Sequence, residues 1–186
     1  MTTIRLFGND IKVPEKEKSI RLFGIHISPS PGLNNNNLQL QRDDRFMNMP
    51  DSPPPSLRLA IQSVQGSRSV YMGWKYLENS DINMNLSRFL IPAEWCAKLL
   101  HHMTESESKK IQSEDDRGIN VSVMDPRGNS HDMKFTEWKS LKRLVFNRGW
   151  NKLVEDNQLQ KGDLLHLWHF RTPDNKPCFA VNIIRS

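Results

Sequence analysis

The feature that most narrows the fold is a change of texture at Ser69-Val70. From there onward, short runs of aromatic and branched residues recur, each closed by Gly, Pro, Asn or Asp, which is the pattern of a strand-rich domain. Trp74-Lys75-Tyr76-Leu77 and Leu86 to Ile91 read as strands. Gly118 to Val123 alternates polar and apolar as a half-buried strand does, Asp125-Pro126-Arg127-Gly128 supplies a turn with Pro in its second place, and His131 to Phe135 returns. Leu144-Val145-Phe146, Leu164 to Phe170 and Cys178 to Ile184 bring the total to about seven strands. Helical spacing is sustained in Ala93, Cys96, Leu99 and Leu100 behind Pro92, and in Trp150, Leu153 and Val154, ending near Asn157. Thr104-Glu105-Ser106-Glu107 has the form of a capping box, but the charged residues up to Asp116 carry no apolar stripe, so any helix there is expected to be short and exposed. These signals predict a mixed, mostly antiparallel barrel with two principal helices over residues 70–186.

Residues 1–69 read differently. Asn34 to Asn37, Pro53-Pro54-Pro55 and scattered Ser and charged residues offer too little apolar periodicity to offset ordering entropy, so this arm is expected to be largely disordered. Within it, Ile4-Arg5-Leu6-Phe7-Gly8-Asn9-Asp10-Ile11 returns almost unchanged as Ile20-Arg21-Leu22-Phe23-Gly24-Ile25-His26-Ile27. Eight residues are too few for a solenoid unit, so the repeat reads as one linear docking motif in two copies, where linkage raises avidity.

The formal charge of +5 is a mild excess of 26 basic over 21 acidic residues, and residues 70–186 hold 17 basic and 15 acidic residues, a difference of +2. Distribution matters more than the total: between Lys134 and Lys152 stand Lys134, Lys139, Lys142, Arg143, Arg148 and Lys152 against the single acid Glu137, a stripe suited to a polyanion. Cys96 and Cys178 have neither disulfide-framework nor zinc spacing. His101-His102 are adjacent, point about 100° apart on a helix and have no third ligand nearby. The sequence contains no membrane-length apolar run, signal-peptide core, phosphate-binding Gly loop, nucleophile elbow or zinc-hydrolase motif. The expectation is a soluble intracellular protein that is not an enzyme and needs no cofactor, metal, membrane or small-molecule substrate.

Five segments, in order and spacing, carry a resemblance: Leu77-Glu78-Asn79-Ser80-Asp81-Ile82, Leu86-Ser87-Arg88-Phe89-Leu90-Ile91-Pro92, Asp125-Pro126-Arg127-Gly128, Asn147-Arg148-Gly149-Trp150, and Leu159-Gln160-Lys161-Gly162-Asp163. Together they resemble the plant B3 DNA-binding domain, in details a divergent subgroup of short B3 proteins. The resemblance implies a seven-stranded open pseudobarrel whose two protruding segments clasp the major groove, an N-arm over Ser80 to Arg88 and a C-arm over Trp138 to Asn147. It also implies a sequence-specific transcription regulator acting in the nucleus. The N-terminal repeat resembles a short repression motif found beside B3 domains, which makes Arg5, Leu6, Phe7, Gly8, Arg21, Leu22, Phe23, Gly24 and Ile25 candidate corepressor contacts and the protein a repressor. Leu57-Arg58-Leu59-Ala60-Ile61 has the alternating form of a further amphiphilic repression motif.

Arg pairs with guanine and Asn with adenine in the major groove. Asn83, Asn85, Ser87 and Arg88 bring that chemistry to one arm, while Lys139, Ser140, Lys142, Arg143, Asn147 and Arg148 offer phosphate anchors and base readers on the other. Lys75 is a further candidate phosphate contact. Arg88 has two roles open to it, nucleic-acid contact or an ion pair with Asp81. Of the five tryptophans, Trp74, Trp95, Trp150 and Trp168 read as core and Trp138, beside the basic stripe, as a side chain near nucleic acid. The competing function is a non-enzymatic protein-interaction adaptor that keeps the B3 fold but has lost specific DNA binding.

Overall fold

The computed structural model describes the backbone of residues 2–6, 9–13, 20–22 and 25–27 and, with side chains, residues 50, 52–113 and 118–186. The chain divides into two compact units, residues 1–48 and 49–186. In the first, strand β1 (Thr2–Leu6) pairs antiparallel with β2 (Asn9–Val13), and β3 (Ile20–Leu22) with β4 (Ile25–Ile27). Each copy of the repeat thus contributes a short hairpin. Arg5, Leu6, Arg21, Leu22 and Ile25 fall in these strands, whereas Phe7, Gly8, Phe23 and Gly24 lie outside the described residues, as do Asn34 to Asn37 and the acidic run Glu114 to Asp116.

The second unit starts before the expected boundary at residue 70. Helix α1 (Pro55–Ser63) has Pro at its first position, where the missing N–H costs nothing. Leu57 and Ile61, four residues apart, are 0% and 4% exposed and pack on Met124, Trp168, Phe170, Cys178 and Ala180, while Leu59 is 64% exposed. The Leu57 to Ile61 stretch is therefore helical, not an alternating extended motif. Its apolar pair belongs to the core and not to a docking peptide.

The remaining elements are β5 (Val70–Tyr76), α2 (Asn79–Ile82), β6 (Arg88–Leu90), α3 (Ala93–His101), α4 (Glu105–Gln112), β7 (Ile119–Met124), β8 (Ser130–Trp138), β9 (Arg143–Asn147), α5 (Trp150–Asp156), β10 (Leu164–Arg171) and β11 (Pro177–Ile184). The seven strands β5 to β11 form one sheet in the order β5-β10-β11-β7-β8-β9-β6, antiparallel except where β11 meets β7. Phe89, Phe135, Phe146, Phe179, Trp95, Trp150 and Leu153 fill its inner side. The two expected helices are α3 and α5. The Thr104–Glu107 capping box does start a short helix, α4, which buries Ile111 completely.

Trp95, Trp150 and Trp168 are buried, but Trp74, expected in the core, is 38% exposed. The cause is a bulge: Tyr71 pairs with Trp168 and Gly73 with the next residue, Leu167, so Met72 is the extra residue and the in-out alternation of β5 reverses before Trp74.

Buried acids hold the turns. Asp125, fully buried, accepts the N–H groups of Arg127 and Asn129 at 2.9 Å and the Asn157 amide at 3.2 Å. Asp163 accepts from the Gln160 N–H at 2.9 Å and from Arg185 at 2.6 Å. Burial opposes ionisation of both, but hydrogen bonds from Asn129, Asn157 and His131 to the first, and from Gln160, Arg185 and Ser186 to the second, outweigh it and hold both carboxyls below the ordinary range. His169 is buried and pushed down to about 4, chiefly by loss of hydration.

Leu57→Ala should cost about 2–5 kcal/mol in urea unfolding, and Leu59→Ala no more than about 0.5 kcal/mol. The signs for pH agree across these groups, because depressed folded-state values mean that the unfolded chain binds more protons. Stability should be complete above about pH 6.5, fall toward pH 4 as unfolded His169 takes up its proton, and fall again below about pH 4 as Asp125 and Asp163 protonate. Urea midpoints measured from pH 8 to 2 check this, and His169→Gln should flatten the upper part of the fall.

Candidate nucleic-acid interface

The N-arm is rooted in one buried carboxylate. Asp81, 2% exposed, accepts Lys75 Nζ at 2.8 Å and the Glu78 N–H at 2.9 Å, which caps the single turn α2. Its carbonyl accepts Trp150 Nε1 at 2.6 Å. Lys75 also donates to the Leu90 carbonyl at 3.1 Å and lies 4.9 Å from the Phe89 ring centre. Lys75 is thus tied into the fold, and it is Lys75, not Arg88, that pairs with Asp81.

Beyond α2 the chain turns through exposed Asn83, Met84 and Asn85, with Asn83 Oδ1 accepting the Asn85 N–H at 2.9 Å. Asn151 of α5 donates to the Met84 carbonyl at 2.7 Å and ties the loop down, a support the sequence did not signal. Ser87, at φ 44°, re-aims the chain into β6.

Arg88 opens β6 opposite Asn147 of β9. Its guanidinium lies over the Trp138 ring, 4.1 Å from the centre, so a residue from the N-arm stacks on one from the C-arm. Arg88 Nε and Nη1 and Asn147 Oδ1 are all buried with no hydrogen-bond partner among the described residues.

The C-arm leaves β8 at Trp138, passes through a 3-10 turn (Lys139–Leu141) and enters β9. Ser140 and Lys142 are exposed and make no side-chain bond among the described residues. Lys139 is only partly available: its ammonium donates to the Gln112 carbonyl and lies 3.5 Å from Glu137. Arg143 is half-buried, with Nε donating to the Ile91 carbonyl at 2.7 Å, so part of it is a strand tie.

At the other end of β9, Arg148 is exposed at φ 48° and Gly149 sits at φ 142°, where an added Cβ would stand 2.1 Å from the Asp132 carbonyl oxygen. Only glycine fits there, so the turn that presents Arg148 is set by close backbone approach. Ser87, Lys142 and Arg148 are three of the six non-glycine residues with positive φ among the described residues. Such conformations cost about 1–2 kcal/mol each and mark positions that the surrounding structure holds deliberately.

Two groups of residues result. Ser87, Arg88, Asn147 and Arg148 stand at one end of β9 by backbone position, with Asn83 and Asn85 in the loop that leads there, and Lys139, Ser140, Lys142 and Arg143 at the other, toward which the Arg88 guanidinium reaches to meet Trp138. An open groove of about 500 Å³ lies over the paired strands β8 and β9, lined by Lys134, Thr136, Glu137, Lys139, Asn147 and Arg148. No group of three or more His, Cys, Asp or Glu among the described residues could hold a metal ion, and His101 meets His102 edge-on.

The family model described as "B3 domain-containing protein At2g31720-like" matches residues 50–185. B3 domain-containing protein At2g31720 of Arabidopsis thaliana is 32% identical over 123 residues, 61% of this chain and 39% of that protein. B3 domain-containing protein At2g32645 of the same plant is 31% identical over 130 residues, 65% of this chain and 68% of that protein. Among solved structures, one titled "Arabidopsis FUS3-DNA complex" is similar with a TM-score of 0.44 at 20% identity, covering 61% of this chain and 97% of that one. The chain thus spans about two-fifths of the first of these relatives and about two-thirds of the second.

Asp81→Ala should destabilise by about 3–5 kcal/mol, because it leaves the Lys75 ammonium buried without its counter-charge. Adding Lys75→Met should recover much of that loss, as measured by thermal and urea unfolding.

From the match over residues 50–185, this chain belongs to the B3 domain-containing family.

Proposed function

We propose that this chain binds double-stranded DNA sequence-selectively through the two arms and regulates transcription in the nucleus. The observation that carries the reading is a set of buried, unpartnered polar atoms on paired strands where the arms meet: Arg88 Nε and Nη1 on β6 and Asn147 Oδ1 on β9. Leaving such atoms unpaired costs about 1–3 kcal/mol each, a cost relieved if the side chains covering them shift on docking and open them to a ligand with facing donors and acceptors. Base edges in the major groove present both. Stacking on Trp138 holds the Arg88 guanidinium before binding, so little side-chain entropy is lost on docking.

Scale supports the same partner. The two groups lie at opposite ends of the five-residue β9, on the order of 14 Å apart at about 3.4 Å per residue, close to the roughly 12 Å width of the major groove. Lys142 and Arg148, exposed at those two ends, are the phosphate anchors of this reading, with Arg88, Asn85 and Asn147 as base readers. Repression through a corepressor held by Arg5 to Gly8 and Arg21 to Ile25 completes the proposal, and it rests on the resemblance of that repeat alone.

Selection from a random duplex pool tests the function directly. Enrichment of one motif is expected, with a log-log salt slope of about −4 to −5 for four to six phosphate contacts. Arg88→Ala should weaken the selected site roughly 10- to 100-fold and relax preference at one base pair, while Lys142→Ala should weaken all sequences alike. Failure to enrich any sequence would instead favour an adaptor on the same fold, which the domain's modest charge allows.

A further inference from the structure

Arg88, Asn147, Lys134 and Asn120 stand at one level on four successive strands, β6, β9, β8 and β7. Arg88 pairs with Asn147, Asn147 with Lys134, and Lys134 with Asn120. Their chain neighbours Phe89, Phe146 and Phe135 are at most 1% exposed and point into the core, so the polar row lies on the outer side of the sheet. Four strands at about 4.8 Å spacing make it on the order of 14 Å long. Arg88 and Asn147 already belong to the proposed interface, whereas Lys134 and Asn120 lie beyond both arms.

Lys134 is half-buried, and its ammonium makes no ion pair or hydrogen bond among the described residues. It lines two adjoining hollows. One is the groove with Asn147 and Arg148, and the other, of about 710 Å³, continues over Asn120 and Ser122 to Lys176. Asp132, two residues before Lys134 on the same face, is exposed and pairs in register with Ser122. Its carboxylate repels a phosphate, so an anionic strand crossing this face is confined to the Lys134 level.

We infer that Lys134, with Asn120 beside it, forms a third DNA contact, gripping the phosphate backbone of the duplex segment that flanks the bases between the arms. The footprint is then asymmetric, extending across β8 and β7 on one side only. Because Lys134 projects from the middle of a paired strand and not from a loop, it fixes the register of the duplex, as phosphate contacts do, without reading bases. This inference rests on the proposed DNA binding.

The test uses the full chain and its selected duplex carrying at least one helical turn of flanking sequence on each side. Lys134→Gln should lower the salt slope by about 0.9, leave base preference unchanged and remove hydroxyl-radical protection from one flank. Asn120→Ala should weaken the same protection, and Asp132→Asn should tighten binding about twofold by removing one repulsion in high dielectric. Trimming that flank should abolish the difference between the unmutated chain and Lys134→Gln. Unfolding midpoints should stay constant, since neither the Lys134 ammonium nor the exposed Asp132 is bonded within the described fold. An unchanged slope and footprint in Lys134→Gln, with Arg88→Ala still defective, would overturn the third contact and leave the two-arm reading standing. A changed base preference in Lys134→Gln would overturn its assignment to the backbone. If the unmutated chain enriches no duplex, the DNA reading itself falls, and this inference with it.

Discussion

The Lys75–Asp81 pair is the contact on which the rest of the barrel depends. β5 and β6 are the two edges of the seven-stranded sheet and share no ladder. Lys75 on β5 nevertheless donates to the Leu90 carbonyl on β6 and to Asp81 just before it, while the Asp81 carbonyl receives the Trp150 indole from α5. One buried charge pair thus draws both edges and a helix together. A buried pair is costly to desolvate and contributes little net stability over an apolar substitute, so its value lies in geometry: it ties the two sheet edges at one point and satisfies both charges there. The N-arm begins within a few residues of this clasp, and its position follows from it.

The same logic runs through the turns. Asp125 gathers the Arg127 and Asn129 amides, and Asp163 the Gln160 amide and the Arg185 guanidinium, each carboxylate standing in for water that the buried turn has lost. Asp81, Asp125, Trp150 and Asp163 are therefore builders of the scaffold, although they are also the residues that make the sequence resemble its family. The side chains of the exposed Asn85, Ser140, Lys142 and Arg148 make no such bonds among the described residues, which leaves them available to a partner. Rigid acids at the base and unbonded polar groups at the tips are what a binding site on a fixed frame requires.

Much of this was readable in the chain. Period-two alternation marked β7 and β8, helical spacing behind Pro92 marked α3, and the turn residues separated strands in the right order. Errors came where one local pattern had two readings. Leu57, Leu59 and Ile61 alternate as a strand would, yet Leu57 and Ile61 are also four apart, and packing on Trp168 and Phe170 selected the helix. Trp74 looked like core because a bulge at Met72 leaves no mark in the residue types. Lys75 could face water or a buried acid, and its own sequence neighbourhood does not say which.

The sequence by itself determined the number of strands, the order of turns and the two stretches that bear Asn, Lys and Arg, because these depend on local periodicity and on residues with few conformational choices. Only the tertiary structure decided that Arg88 stacks on Trp138, that Asn147 stands between Arg88 and Lys134, and that Lys75 belongs to Asp81. Those contacts join residues far apart in the chain, and which long polar side chain meets which partner is settled by how the sheet curls, not by any spacing along the sequence.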